Sequence, residues 1–339
     1  MKEICSGFTM DVIASTAFGL QVNSQKEPNN AFVINARKVV STNLFRLYFI
    51  LVLVFPFLKD IMGTLFTAPV MGEGCQEFFR TIVSQLIEER RKTSNNNYRD
   101  FIQLMLNAHK DTDTEKATEE NGLSDMSKYK NRGMTEKEIL SNSLIFFGAG
   151  FDTTANALTF ASYRLALHQD IQKKLADEVE SELGKEPPTY DNLNRLPYLD
   201  KFLNEVLRMY AAATRINRDT RNDITVKGQF IPKGTDVTVS ITALHRDPKY
   251  WPEPEKFDPE RFTEENKAKR PMYSFLPFGL GPRNCIGMRL ALLEAKFALI
   301  EMVRNFRFQP CDKTENPIKL DPGFLMRPLN GVYLKVERR

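Results

Sequence analysis

Histidine is scarce in this chain of 339 residues: the three copies, at positions 109, 168 and 245, share no spacing that would place two on one helix face. A multi-histidine metal centre is therefore not expected, and all three read as surface or turn residues. The four cysteines, at 5, 75, 285 and 311, form no C-x-x-C pair and have no histidine nearby, which argues against both a zinc site and a dense disulfide framework. Reduced thiols and a cytosolic face fit this usage. Strong charge of one sign is also missing, since 47 Lys and Arg stand against 43 Asp and Glu for a net +4. No basic run is interleaved with aromatics, and nucleic acid is set aside as a partner. No run reaches the roughly 20 apolar residues needed to cross a bilayer. The most apolar stretch, "LYFILVLVFPFL" at 47–58, is interrupted by Pro56 and reads as a buried helix or as a surface that dips into a membrane interface. The first twenty residues lack an apolar core and cleavage site of the secretory kind and read as a helix.

What the sequence has in quantity is helical periodicity. A hydrophobic fraction of 42% suffices for a sizeable core. "GCQEFFRTIVSQLIEERRK" at 74–92 and "YRDFIQLMLNAHK" are amphipathic, and residues 110–133, without Val, Ile or Phe, read as a mobile solvated loop. Thr135 and Glu138 then form a T-x-x-E capping box in front of "ILSNSLIFFGAGFDTTANALTFASYRLALH", whose apolar residues run nearly all round and predict a central helix. Further helices are expected in "DIQKKLADEVESELG", in two pieces of "PPTYDNLNRLPYLDKFLNEVLRMY", and in "MRLALLEAKFALIEMVRNF". Strands are expected about the Lys-Gly turns of "DITVKGQFIPKGTDVTVSI" and in a hairpin about Asn330-Gly331. The fold class is mainly α with small peripheral β-sheets.

Three short stretches invite a chemical reading. "FGLGPRNCIG", 278–287, sets a lone cysteine among three glycines just before a helix, where free N–H groups and the helix dipole stabilise a thiolate. On that cysteine alone an inert, half-buried thiol is the commoner reading. In "AGFDTT", 149–154, Gly150 weakens a helix by about 1 kcal/mol against alanine, and Thr153 can bond back to the carbonyl four residues earlier. Asp152 beside that hydroxyl could equally supply a titratable group for proton transfer. Glu205 and Arg208 in "EVLR" are spaced as an ordinary i, i+3 surface pair.

Together these stretches resemble the cytochrome P450 family. F-x-x-G-x-R-x-C-x-G is met by Phe278, Gly281, Arg283, Cys285 and Gly287, the pattern of the family's signature loop, whose cysteine is the axial thiolate ligand of haem b iron. The resemblance extends over 1–339 as a single domain and is nearest the microsomal drug- and steroid-hydroxylating group of family three, subfamily A, with its relative thromboxane synthase. It implies the family's fold without its N-terminal third, and with it no membrane anchor. It implies that Asp152 and Thr153 relay protons and that Arg283 and Arg218 bind the haem propionates. Ala149 would lie against the cofactor, and Ile145, Gly148, Ala149, Ala213 and Thr214 would line the substrate site. Ala211 replaces the proline usual after E-x-x-R. Glu205, Arg208 and Arg261 of "PERF" would form a buried structural triad. The implied activity is monooxygenation of a steroid, fatty acid or xenobiotic, with electrons from NADPH through cytochrome P450 reductase and cytochrome b5 as a further partner, at the cytosolic face of the endoplasmic reticulum membrane with 47–58 touching the lipid. The alternatives are an endoperoxide isomerase like thromboxane synthase, whose alcohol position is not threonine, and a truncated relative that binds no haem.

Overall fold

The computed structural model describes residues 1–40, 74–92, 98–108, 133–321 and 323–339. The apolar run 47–58, His109 and all of the expected loop 110–133 except Gly133 lie outside the described residues. Two compact units emerge: residues 7–152, and residues 1–6 with 153–339.

The first unit is helical among its described residues. It holds most of α1 (Lys2–Phe18), α2 (Ala31–Val40), α3 (Cys75–Lys92), α4 (Phe101–Asn107) and the first half of α5 (Glu136–Leu167). Thr135 starts α5 as its spacing predicts: its N–H donates to Glu138 Oε2 at 2.8 Å, and the Glu138 N–H returns to Thr135 Oγ1 at 3.3 Å. The core gathers round Phe147, fully buried, with ring centroids 4.5 Å from Phe79, 5.2 Å from Phe32 and 6.0 Å from Phe18. Such ring pairs add about 0.5–1.5 kcal/mol each beyond the area they bury. Gly150 has a packing reason to be glycine, because a Cβ there would stand 2.7 Å from Ile13 Cδ1 of α1. A buried ion pair closes the unit: Arg90 donates to both Asp100 carboxylate oxygens, at 2.5 and 2.6 Å, and to the Phe18 carbonyl. Asp100 also caps α4 by accepting from Gln103 N.

The second unit continues α5 and adds α6 (Gln169–Leu183), α7 (Pro197–Met209), α8 (Ile241–Leu244), α9 (Glu264–Ala268) and α10 (Met288–Asn305). Helix α7 has Pro197 in its first turn and no side-chain cap of its own. Glu178 of α6 fills that role, accepting from Tyr198 N at 2.7 Å and Leu199 N at 2.9 Å. Three two-stranded antiparallel sheets complete the unit: β1 (Arg215–Asp219) with β4 (Asp236–Ser240), β2 (Ile224–Val226) with β3 (Gln229–Ile231), and β5 (Phe306–Pro310) with β6 (Leu334–Arg338). The β2–β3 hairpin turns at Lys227-Gly228, both with positive φ, as the Lys-Gly signal predicts. The expected hairpin about Asn330-Gly331 does not form. Gly331 makes a turn at φ +78°, but the strand after it pairs with β5, which directly follows α10. Gln172 binds this sheet from α6: its Nε2 donates to Phe308 O at 2.9 Å, and its Oε1 accepts from Phe308 N at 2.8 Å.

Candidate haem-binding site

The cysteine loop leaves the 3₁₀ turn Met272–Ser274 and enters α10 at Met288. Its shape follows from its glycines: Gly279 and Gly281 have φ of +71° and +88°, which L side chains rarely adopt. Turn bonds hold it, with Gly279 N to Leu276 O at 3.1 Å, Asn284 N to Gly281 O at 3.1 Å and Cys285 N to Phe278 O at 2.8 Å. Cys285 is exposed, and a Cβ added at Gly281 or Gly287 would meet nothing within 4 Å. Arg283 is exposed and Phe278 half-buried. No group of three or more His, Cys, Asp or Glu among the described residues could hold a metal ion. One accessible sulfur on an open glycine loop fits a metal that arrives with its remaining ligands already in place, as iron does in a porphyrin.

Beneath this loop in the same unit lies a cluster of buried charge. Glu205 and Arg208 are fully buried on α7, and the guanidinium grips the carboxylate with two bonds, Nε to Oε2 at 2.7 Å and Nη2 to Oε1 at 2.9 Å. Arg208 also donates to the carbonyls of His245 and Pro254, each at 2.8 Å, so both sides of its fork are engaged. Asp258 N donates to Glu205 Oε1. Arg261 sits on the 3₁₀ turn Pro259–Phe262 with Nε 3.6 Å from the same oxygen, at ion-pair range, while its Nη2 donates to Glu253 O. Burial pushes the Glu205 carboxyl above its ordinary range, against the pull of Arg208, the Asp258 amide and Arg261. The aromatic floor is Trp251, Phe262 and Phe275, with the Arg270 guanidinium 4.0 Å over the Trp251 ring.

The remaining candidates are placed as follows. Ile145, Gly148, Ala149 and Asp152 fall on one stripe of α5, at i, i+3, i+4 and i+7; Ile145 and Ala149 are exposed and Asp152 is buried. Thr153 is half-buried and α5 is continuous helix through it. Ala213 bridges Leu325, while Thr214 donates from both N and Oγ1 to Phe324 O. Arg218 is exposed on β1, where its guanidinium donates to the Asn217 carbonyl.

Two residues stand apart from the expectations. His245, read as a surface or turn position, does lie in the turn that ends α8, but it is fully buried and its ring is bonded on both sides. Its partners lie 31 and 37 residues away, so no local spacing signals the role. Glu294 lies on the buried face of α10, and burial raises its carboxyl to about 8. Its place four residues before buried Ala298 was available from helical periodicity.

An exposed thiol on a glycine loop, backed by a buried Glu–Arg–Arg cluster, is the constellation of a haem-thiolate protein. The profile of the family described as Cytochrome P450 matches residues 1–335, and the chain belongs to that family. It is 42% identical over 340 residues to cytochrome P450 3A13 of Mus musculus and 43% identical over 340 residues to cytochrome P450 3A9 of Rattus norvegicus. Each alignment takes in all of this chain and 65% of the relative. Cytochrome P450 3A2 of Rattus norvegicus is 42% identical over 337 residues, 99% of this chain and 64% of that protein. The chain thus spans a little under two-thirds of the length of these curated relatives. No helix among the described residues is long and apolar enough to cross a membrane.

Proposed function

We propose that this chain carries the cofactor-binding part of a haem-thiolate monooxygenase that places one atom of dioxygen in a lipophilic substrate. The observation that carries the reading is Cys285, an accessible thiol on a positive-φ glycine loop at a helix entrance, in a chain of this family. When bound, haem supplies the redox chemistry, and a thiolate ligand enriches its iron in electron density. The protein's own part begins with the loop. It presents the Cys285 sulfur at the entrance of α10, and its glycines would let the backbone lie close to a flat macrocycle. Arg283 and Arg218 would bind the propionates through their forked N–H groups. Asp152 would take a proton from water and Thr153 would hand it on through its hydroxyl, a relay that commits the oxygen chemistry to product. Ile145, Gly148, Ala149, Ala213 and Thr214 would shape the substrate site. Glu205, Arg208 and Arg261 would fix the register of the segments beneath the loop rather than act in catalysis.

Electrons would come from NADPH through cytochrome P450 reductase, with cytochrome b5 as a second donor, at the cytosolic face of the endoplasmic reticulum. Thr153 favours oxygenation over endoperoxide isomerisation, because an isomerase needs no proton relay. The test is the reduced carbon monoxide difference spectrum of the haem-loaded chain. The red-shifted thiolate band should appear with Cys285 and vanish in Cys285→Ser, because a neutral hydroxyl is a poor ligand that donates little electron density. A normal thiolate band in Cys285→Ser overturns the assignment.

A further inference from the structure

His245 closes the short helix α8 and is completely enclosed. Its Nε2 lies 2.8 Å from the Leu276 amide nitrogen. An amide nitrogen can only donate, so Nε2 accepts and carries no proton. The proton of the neutral ring is then on Nδ1, which stands 3.1 Å from the Arg208 carbonyl oxygen and donates to it. Both ring nitrogens are thereby committed, each to a backbone group with one possible role. The ring packs at 5.2 Å against Phe275 and lies 6.4 Å from Trp251. The Arg208 guanidinium closes the circuit by donating to the carbonyl of His245 itself. Burial lowers the imidazole to about 4, so the neutral form that both bonds require is the one present near neutral pH.

We infer that His245 is a positioning residue for the cysteine loop, a two-sided strut that ties the entry of the loop at Leu276 to the buried Glu205–Arg208 pair. The connection continues to the sulfur through backbone alone. Leu276 returns a carbonyl bond to Gly279 N, and two residues past Leu276 the Phe278 carbonyl receives the Cys285 N–H. The ion cluster fixes the strut, the strut fixes Leu276, and the Phe278–Cys285 bond closes the loop on that anchor. The inference rests on the reading of Cys285 as the metal ligand only for its functional meaning. The mechanical claim stands on the bonds themselves.

Two amide side chains separate the ends of the strut. From Cβ, a glutamine carbonyl oxygen reaches about as far as Nε2, and an asparagine NH₂ about as far as Nδ1. His245→Gln can keep the loop bond and lose the Arg208 bond, whereas His245→Asn can keep the Arg208 bond and lose the loop bond. His245→Phe loses both. In the full chain, amide hydrogen exchange at Leu276 is compared with the urea midpoint of each variant. We expect exchange at Leu276 to rise about ten-fold beyond what global destabilisation accounts for in the Asn and Phe variants, and to stay near wild type in the Gln variant. After haem loading, the thiolate fraction of the carbon monoxide spectrum should follow the same split. Equal behaviour of Gln and Asn at matched stability, or Leu276 exchange that only tracks the urea midpoint, overturns the inference. If the wild-type chain gave no thiolate band, the haem reading would fail, and the exchange comparison would still decide the role of His245.

Discussion

Glu294 makes the pH dependence of this protein's stability calculable. Its side chain lies on the buried face of α10 at 7% exposure, and Oε1 has no hydrogen-bond partner among the described residues. Burial without a partner raises the carboxyl from 4.5 to about 8. In the unfolded chain the group ionises above 4.5, while in the folded chain it keeps its proton to about 8. The stability it allows is therefore fully present below pH 4.5 and is lost as pH rises through that window. At 1.36 kcal/mol per pKa unit the loss between pH 4.5 and 8 is about 4 kcal/mol. Glu294→Gln keeps the shape of the neutral acid and cannot ionise, so it removes this slope and nothing else that titrates. Urea midpoints read through the fluorescence of Trp251, the single and fully buried tryptophan, supply the assay. The variant should gain on wild type by about 4 kcal/mol on going from pH 4.5 to 8, with the contribution of His245 cancelling in the difference. A gap that does not change with pH would refute the reasoning.

Glu205→Ala leaves Arg208 and Arg261 without their carboxylate in a buried place and should destabilise by about 3–5 kcal/mol, read from the same urea midpoints. Gly150→Ala improves helix propensity by about 1 kcal/mol, yet it drives a methyl into Ile13 and should come out destabilising by about 1 kcal/mol net. Ile13→Ala, which removes both Cδ1 and the Cγ1 that would stand 2.9 Å from the new methyl, should relieve most of that cost, visible as a favourable coupling in a double-mutant cycle. Thr153→Ala should leave haem content unchanged and raise several-fold the hydrogen peroxide formed per NADPH consumed. Unchanged coupling to product would remove Thr153 from the proton relay.

The parts of this fold that could be read from the sequence are those whose determinants lie within a few residues of one another. The T-x-x-E box announced the start of α5, and the Lys227-Gly228 pair announced the tight turn of β2–β3. The cysteine loop was legible for the same reason, because its glycines and its cysteine sit within ten residues of sequence. The β5–β6 pairing was not. Asn330-Gly331 does turn the chain, but the choice of partner strand is made by packing against α6, which no local signal carries. The surroundings of the site were hidden likewise. His245 takes its meaning from Arg208 and Leu276, both remote in sequence, and the cap of α7 is supplied by Glu178 from another helix. The Glu205–Arg208–Arg261 cluster, whose members lie on α7 and on a 3₁₀ turn more than fifty residues away, came from the family resemblance alone, because the spacing of Glu205 and Arg208 by itself reads as a surface pair.

Gln172 has a consequence for how the chain behaves at high concentration. A two-stranded sheet leaves two rows of backbone groups without strand partners, and such rows recruit strands from other molecules. In the middle of β5 the side-chain amide of Gln172 presents a donor and an acceptor to Phe308 in the manner of a peptide group, and Gln169 adds a second donor to the same carbonyl. The outward edge at Phe308 is thus occupied by an imitation of a strand one amide long, carried on a helix that cannot itself be extended by a further strand. An incoming chain finds no free pair of groups there on which to start a ladder. Helix α6 thus covers the outer edge of β5 at Phe308.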